Sequence, residues 1–207
     1  NPVYHEGSLA VLKGNLAPDG AVIKPAAMDP KFQTHSGPAI VADSYAELKE
    51  IINDEDYPMT PDHVMVLRNA GPQGGPGMPE WGMIPMPKAL LKQGHRDMLR
   101  LSDARMSGTS YGACILHVAP ESFVGGPLAL LKTGDIVRMD LEARSLDMLV
   151  DEEELAARRA AWQAPEPRFE RGWGYMFQRH VGQADKGCDF DYLTSAFGRA
   201  AGEPDIF

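Results

Sequence analysis

At 207 residues, with 43% hydrophobic and 24% charged side chains, the chain is long enough to bury one sizeable core, alone or with an appendage. A formal charge of −9 without a Lys/Arg patch argues against a phosphate-backbone partner, so no nucleic acid is expected. No apolar run approaches the roughly 20 residues that cross a bilayer, so no membrane partner is expected either.

The chain starts Asn1-Pro2-Val3-Tyr4-His5, without a basic n-region, an apolar h-region or an initiator Met, as a processed chain or a piece of a longer protein would. Ala21–Ala27 and Ala39–Asp43 are the first candidate strands, short apolar runs set between Gly and Pro clusters. Ser44-Tyr45-Ala46-Glu47 is a capping box, and Leu48, Ile51 and Ile52 then share one face of a helix running to about Asn53. His63–Arg68 is a further strand. Pro87, Lys88–Gln93 and Gly94 follow the order of Pro just inside a helix start and Gly just past its end. Met98–Ser102, Ala113–Val118, Asp135–Leu141 and Leu146–Val150 complete the strands, and Asp151–Trp162 is a third helix, acidic in its first turn and basic near its end. Several strands show no clean alternation, which predicts a sheet covered on both faces and closed or double-layered.

Cys114 and Cys188 are too few for a disulfide framework and too distant for a CxxC metal site, which suits a reducing cytoplasm; Cys114, within Ala113-Cys114-Ile115-Leu116, reads as a buried small hydrophobe. A main domain over residues 1–165 is expected, followed by an extension over 166–207 that concentrates Phe169, Trp173, Tyr175, Phe177, Phe190 and Tyr192. Those aromatics need a surface to bury against: the tail either folds back on its own domain or docks on a neighbouring domain or subunit.

Two stretches carry candidate chemistry. Gly71-Pro72-Gln73-Gly74-Gly75-Pro76-Gly77-Met78-Pro79-Glu80 holds too many Gly and Pro residues for a helix or a central strand and must be a shaped loop. It lacks the Gly-Lys-Ser/Thr ending of a phosphate-binding P-loop and ends in a carboxylate instead. Glu80 is therefore either a ligand for a hard divalent cation such as Mg²⁺ or a solvated surface group. Ser102-Asp103-Ala104-Arg105-Met106-Ser107-Gly108-Thr109-Ser110 groups hydroxyls around an Asp and an Arg at a strand end, as a polar ligand site or as a turn held by an Asp103–Arg105 tether. The Gly-x-Ser-x-Gly elbow of serine hydrolases is absent.

Taken in order, Gly14-Asn15-Leu16-Ala17-Pro18-Asp19-Gly20-Ala21-Val22-Ile23-Lys24, the loop Gly71 to Glu80, Ser102 to Thr109, His117-Val118-Ala119-Pro120-Glu121 with Gly125-Gly126-Pro127, and Gly134-Asp135 resemble the C-terminal domain of the dihydroxy-acid and 6-phosphogluconate dehydratase family. The resemblance runs from about Gly14 to about Trp162. Met106-Ser107-Gly108-Thr109 and the tail Gln178 to Asp185 look closer to the aldonate branch, the L-arabinonate and D-xylonate dehydratases. The resemblance implies an α+β, β-rich fold, a swivelling β/β/α barrel-like domain with flanking helices. It also implies a cytoplasmic hydro-lyase that converts a 2,3-dihydroxy sugar acid to a 2-keto-3-deoxy acid.

By position, the resemblance makes Glu80 a Mg²⁺ ligand, Ser107 the base that takes the C2 proton, and Thr109 a residue that binds substrate or orients Ser107. His180 and Asp185 are expected to contact the sugar's distal hydroxyls, and His117 to be structural. The implied cofactors are Mg²⁺ and an iron–sulfur cluster, 2Fe–2S in preference to 4Fe–4S, held by an N-terminal domain missing here. Cys114 and Cys188 are therefore not cluster ligands, and the domain alone should be inactive. A homodimer or homotetramer is implied. The family's Asp-Gly-Arg stands here as Asp103-Ala104-Arg105, and Ala needs φ < 0 more strictly than Gly, which bears on the placement of Ser107. Two other readings are a dihydroxy-acid dehydratase of branched-chain amino-acid biosynthesis and a non-catalytic swivelling or oligomerisation module.

Overall fold

The computed structural model describes Asn1 and residues 7–193; residues 2–6 and the 194–207 end of the aromatic extension lie outside the described residues. Eight strands form one mixed sheet: β1 (Ala10–Leu12), β2 (Gly20–Ile23), β3 (Thr34–Ala42), β4 (Val64–Leu67), β5 (Arg100–Ser102), β6 (Cys114–Ala119), β7 (Ile136–Asp140) and β8 (Ser145–Met148). Their order is β1-β2-β6-β5-β4-β3-β7-β8. The central run β6-β5-β4-β3 is parallel and the flanking pairs are antiparallel. Four helices surround the sheet, α1 (Tyr45–Asn53), α2 (Lys88–Lys92), α3 (Glu152–Ala161) and α4 (Gly172–His180). None of the described helices is long and apolar enough to cross a membrane.

The two ends of the sheet meet, making it a nearly closed barrel. Lys13 bridges Ser145, and Leu146 N–H donates to Lys13 C=O at 3.0 Å. Asn15 extends the seam with its side chain: Oδ1 accepts from Met148 N–H at 2.8 Å and Nδ2 donates to Met148 C=O at 2.9 Å, so one amide replaces a strand residue. Gly14 is required there, because a Cβ would lie 2.1 Å from the Leu146 carbonyl oxygen. Closure removes the exposed edges that an open sheet would present.

β4, Val64-Met65-Val66-Leu67, is buried along its whole length, one face toward the barrel and the other beneath covering segments, as its unbroken apolar run predicts. Leu48 and Ile52 of α1, Ile84 and Leu90 join the same core as Leu12, Ile23, Leu101 and Ile115. The capping box at α1 forms with a one-residue shift. Ser44 Oγ accepts from Glu47 N–H at 3.2 Å, while the Glu47 carboxylate reaches Asp43 N–H rather than that of Ser44 itself. On α3 no side chain is buried, and Arg158 fastens the helix through Asp135, Glu154 and the Leu130 carbonyl.

Four elements depart from the sequence expectations. β2 stops at Ile23 because Pro25 starts a 3-10 turn over Pro25–Ala27, with no N–H for a ladder. β3 starts five residues early, at Thr34: Gly37 packs too close to the Asp62 carbonyl for any side chain, and Pro38 pairs with Ile136 of β7. β1 and α4 were unforeseen; β1 is only three residues long, and α4 begins at Gly172-Trp173-Gly174, a poor helix-forming start.

If the seam depends on the Asn15 amide, Asn15→Ala strands both backbone groups of Met148 and lowers the unfolding free energy by about 1–3 kcal/mol. Urea denaturation of the two proteins measures the difference; equal midpoints contradict the role given to this side chain.

Candidate active site

β3, β4, β5 and β6 are parallel, so the segments after Leu67, Ser102 and Ala119 leave the barrel at one rim, the usual place for ligands in such sheets. Two buried carboxylates organise that rim. Asp103, fully buried directly after β5, accepts Ala70 N–H at 3.1 Å through Oδ1, and Ser122 N–H (2.9 Å) and Oγ–H (2.5 Å) through Oδ2. Ser122 Oγ in turn accepts from Asn69 N–H at 2.7 Å. Glu121, equally buried after β6, accepts from Gln73 N–H at 2.9 Å, Gly74 N–H at 2.9 Å and Gln183 Nε2 at 2.8 Å.

The glycine-rich loop can reach these carboxylates because Gly71 and Gly74 lack side chains. A Cβ on Gly71 would sit 2.6 Å from Glu121 Oε2, and one on Gly74 2.7 Å from Asn69 backbone. Burial pushes the Glu121 carboxyl up to about 7, with the nearby Asp103 charge acting the same way and the loop N–H groups pulling it back. Burial likewise raises Asp103, against the donors from Ser122 and Ala70.

Glu80 and Ser107 emerge from neighbouring loops joined by Arg105. Its Nη1 donates to Glu80 Oε1 at 3.1 Å, its Nε donates to the Met78 carbonyl, and its own carbonyl accepts from Gly82 N–H at 2.8 Å. Ser107 follows two residues beyond Arg105 on the same segment. The expected Asp103–Arg105 tether does not form among the described residues: Asp103 points inward to Ser122 and Ala70, and Arg105 outward to Glu80. Ala104 is not among the residues with positive φ, so this backbone accepts Ala where the family carries Gly.

Ser107 is half-buried and starts a tight turn. Its carbonyl accepts from Ser110 N–H at 3.0 Å, and its Oγ lies 3.0 Å from Thr109 Oγ1. Ser107 and Thr109 thus share one turn, and Glu80 is tied to the same segment through Arg105. His180 and Asp185 make separate contacts. His180 Nδ1 lies 2.9 Å from Asp191 with its ring edge-on to Tyr192, and Asp185 pairs with Lys186 in a hollow shared with Asp19, Val22 and His117. His117 is half-buried with φ +54, and burial lowers its pKa.

Among the described residues no three His, Cys, Asp or Glu side chains converge as a metal site. The donor set fits one ligand to a hard cation: Glu80 is 49% exposed, and its Oε2 has no donor among the described residues. Cys114 is buried with its thiol raised to about 11 by desolvation, the state of a packed hydrophobe.

The aromatic tail braces the back of the glycine-rich loop. Gln178 Nε2 donates to Gln73 C=O at 2.9 Å, and Gln73 Nε2 donates to Val181 C=O at 3.1 Å. Arg168 donates to Asn69 C=O and lies over Trp81, which stacks on Tyr45. Trp173, Phe177, Phe190 and Tyr192 cluster together, yet Trp173 remains 65% exposed. Sequence reasoning gave no role to Asp103 beyond a local tether, and none to Glu121, Lys24 or the three glutamines. Glu121 and Lys24 end two of the quoted motifs, which was the available signal.

These features define a β-rich barrel domain whose Arg105 links the loop of Glu80 to the segment that carries Ser107 and Thr109. Residues 1–188 match the family described as dihydroxy-acid/6-phosphogluconate dehydratase C-terminal, and the chain belongs to that family as its C-terminal domain. It is 53% identical over 209 residues to a 6-deoxy-6-sulfo-D-gluconate dehydratase of Pseudomonas putida, covering 100% of this chain and 36% of that protein. It is 45% identical over 197 residues to an L-arabinonate dehydratase of Rhizobium leguminosarum bv. trifolii (95% and 34% covered). With a dihydroxy-acid dehydratase of Methanothrix thermoacetophila the identity is 44% over 188 residues (90% and 33%). The chain spans about a third of the length of these relatives.

The upward shift of Glu121 has a definite sign. Its ordinary value is 4.5, so between there and about 7 the native chain holds a proton that the unfolded chain has released. Stability therefore falls as pH rises across that window, by on the order of 3 kcal/mol, and levels off above it. Urea midpoints measured from pH 4.5 to 8 should show this decline. Glu121→Gln should reduce the slope without abolishing it, since Asp103 carries a shift of the same direction.

Proposed function

We propose that this domain completes the active site of a dehydratase that removes water from a 2,3-dihydroxy sugar acid to give a 2-keto-3-deoxy acid. The observation that supports the reading is the Arg105 junction, in which the residue two before Ser107 bonds Glu80 while Ser107 and Thr109 share a turn. The similarity to sugar-acid dehydratases supports the substrate class. In this reading the Ser107 Oγ alkoxide takes the proton from C2, the C3–O bond breaks, the departing hydroxide takes up that proton to leave as water and restore the alkoxide, and the resulting enol tautomerises to the 2-keto acid. Thr109 Oγ1, 3.0 Å away, orients the Ser107 hydroxyl or bonds the substrate. Glu80 would hold Mg²⁺ through its unengaged oxygen.

When bound, Mg²⁺ would stabilise the dianion formed at the carboxylate and C2 hydroxyl, and an iron–sulfur cluster would serve as Lewis acid at the C3 hydroxyl. The remaining metal ligands and the cluster belong, in this proposal, to an N-terminal domain. A serine base at neutral pH needs its alkoxide favoured by roughly six pK units, about 8 kcal/mol. That demand is why the isolated domain is expected to be inactive. The exposed Trp173, Met176 and Tyr192 are proposed to dock on a neighbouring domain or subunit of a cytoplasmic homo-oligomer. His180 and Asp185 are proposed to approach the sugar's distal hydroxyls.

A second reading, dehydration of a branched-chain dihydroxy acid, is favoured by the 44% identity to a dihydroxy-acid dehydratase. Turnover of L-arabinonate, 6-deoxy-6-sulfo-D-gluconate and 2,3-dihydroxy-isovalerate by the full-length protein separates the two. A site built to bond hydroxyls should reject the isovalerate strongly, and preference for it overturns the sugar-acid reading. In the same protein Ser107→Ala should cut kcat by several orders of magnitude with little change in KM, whereas retained turnover identifies a non-catalytic module. Glu80→Gln should raise the Mg²⁺ concentration for half-maximal rate, and an unchanged requirement removes Glu80 as a ligand.

A further inference from the structure

The connection from β5 to β6, residues 103–113, must cross from one rim of the barrel to the other, because the two strands are parallel. Ser107 lies within this crossing, and a different segment runs beside it: the stretch after β2, from Lys24 to Asp29. Three contacts clasp the two together. Lys24 Nζ donates to the Gly108 carbonyl at 2.8 Å, and Gly112 N–H donates to the Ala27 carbonyl at 2.7 Å. Asp97 Oδ2 accepts both Asp29 N–H and Ala113 N–H at 3.0 Å.

The third clasp is itself fixed. Arg100, buried to 1% exposure, donates to Asp97 Oδ1 at 2.8 Å and to the Ile84 carbonyl at 2.9 Å. Gly112 has φ +99, and a Cβ there would meet Arg100 Nη2 at 1.8 Å. The Lys24 segment is thus held in register with the Ser107 turn at a buried base, and the Lys24 ammonium reaches the turn's middle peptide.

The charge at this place is unbalanced. Arg105, the other cation of the turn, is taken by Glu80, whereas Lys24 has no carboxylate partner among the described residues. Its one recorded bond leaves two of its three N–H donors for other acceptors. A cation within a few ångströms favours an alkoxide or a bound carboxylate over the neutral form.

The geometry points to Lys24 as a positioning residue for the dehydration. It holds the Gly108 carbonyl between Ser107 and Thr109 and brings to their turn a cation that no carboxylate among the described residues balances. The inference rests on Ser107 being the base.

The test compares Lys24→Met, Lys24→Ala and Lys24→Arg with Ser107→Ala in the full-length protein, using the fastest sugar acid of the panel above. Lys24→Met should lower kcat about 10- to 100-fold, the range for a lost hydrogen bond to a charged group, with KM changed less. Lys24→Arg should recover most of the loss, and added ethylammonium should raise the rate of Lys24→Ala while NaCl at the same concentration does not. Wild-type kcat in Lys24→Met alongside an inactive Ser107→Ala overturns the role of Lys24 and leaves the base intact. A loss that neither Arg nor ethylammonium relieves, or a failure of all three variants to fold, makes Lys24 a packing residue and equally overturns it. An active Ser107→Ala, or no sugar-acid turnover by the unaltered protein, removes the underlying reading as well.

Discussion

A carboxylate withdrawn from water must be solvated by the protein, and at this barrel's rim the solvent is the backbone of a loop. Asp103 and Glu121 sit at the ends of adjacent parallel strands, fully buried, and gather the N–H groups of Ala70, Gln73, Gly74 and Ser122. An unpaired charge there would be prohibitive, so the carboxylates and the loop hold one another in place. The loop's many Gly and Pro residues would otherwise leave it a poorly defined ensemble. With its first half pinned, its second half has few ways to run, and Glu80 emerges at a fixed position beside Arg105.

The site follows from this anchoring. Arg105 reads out both loops at once, through the Met78 carbonyl, the Glu80 carboxylate and Gly82 N–H. Ser107 needs only to be two residues further along the same chain. Preorganisation of this kind matters for abstraction of a weakly acidic proton, where a small misplacement of the base is amplified in the rate.

Much of the framework was legible in the sequence because it rests on local rules. The Ser44 capping box, the Pro87 and Gly94 bounds of α2 and the acidic start of α3 are short-range signals, and each helix lies where those signals put it. The apolar run of β4 gave both the strand and its double burial. What stayed hidden depends on distance in sequence. Nothing near Glu121 shows that it will be buried beneath Gln73, and nothing near Lys24 shows that Gly108 will lie against it. Asp103 and Arg105 look like a pair when read along the chain, but both lie past the end of β5, where the backbone turns and sends Asp103 to Ser122 and Ala70 and Arg105 to Glu80. The grouping of Glu80 with Ser107 came from family resemblance, and no periodicity in the residues would have supplied it.

Gln178 within α4 and Gln183 just after it tie the tail to the middle of the chain. Gln183 both donates to Glu121 and accepts its backbone N–H, and Gln178 holds the carbonyl of Gln73. A polypeptide ending at the Pro165–Pro167 break would therefore contain every strand and still be structurally unfinished. Glu121 would lose its one side-chain donor among the described residues and meet water, and the loop ahead of Glu80 would shed its outer brace. Through Gln178 and Gln183 the tail thus takes part in the packing around Gln73 and Glu121.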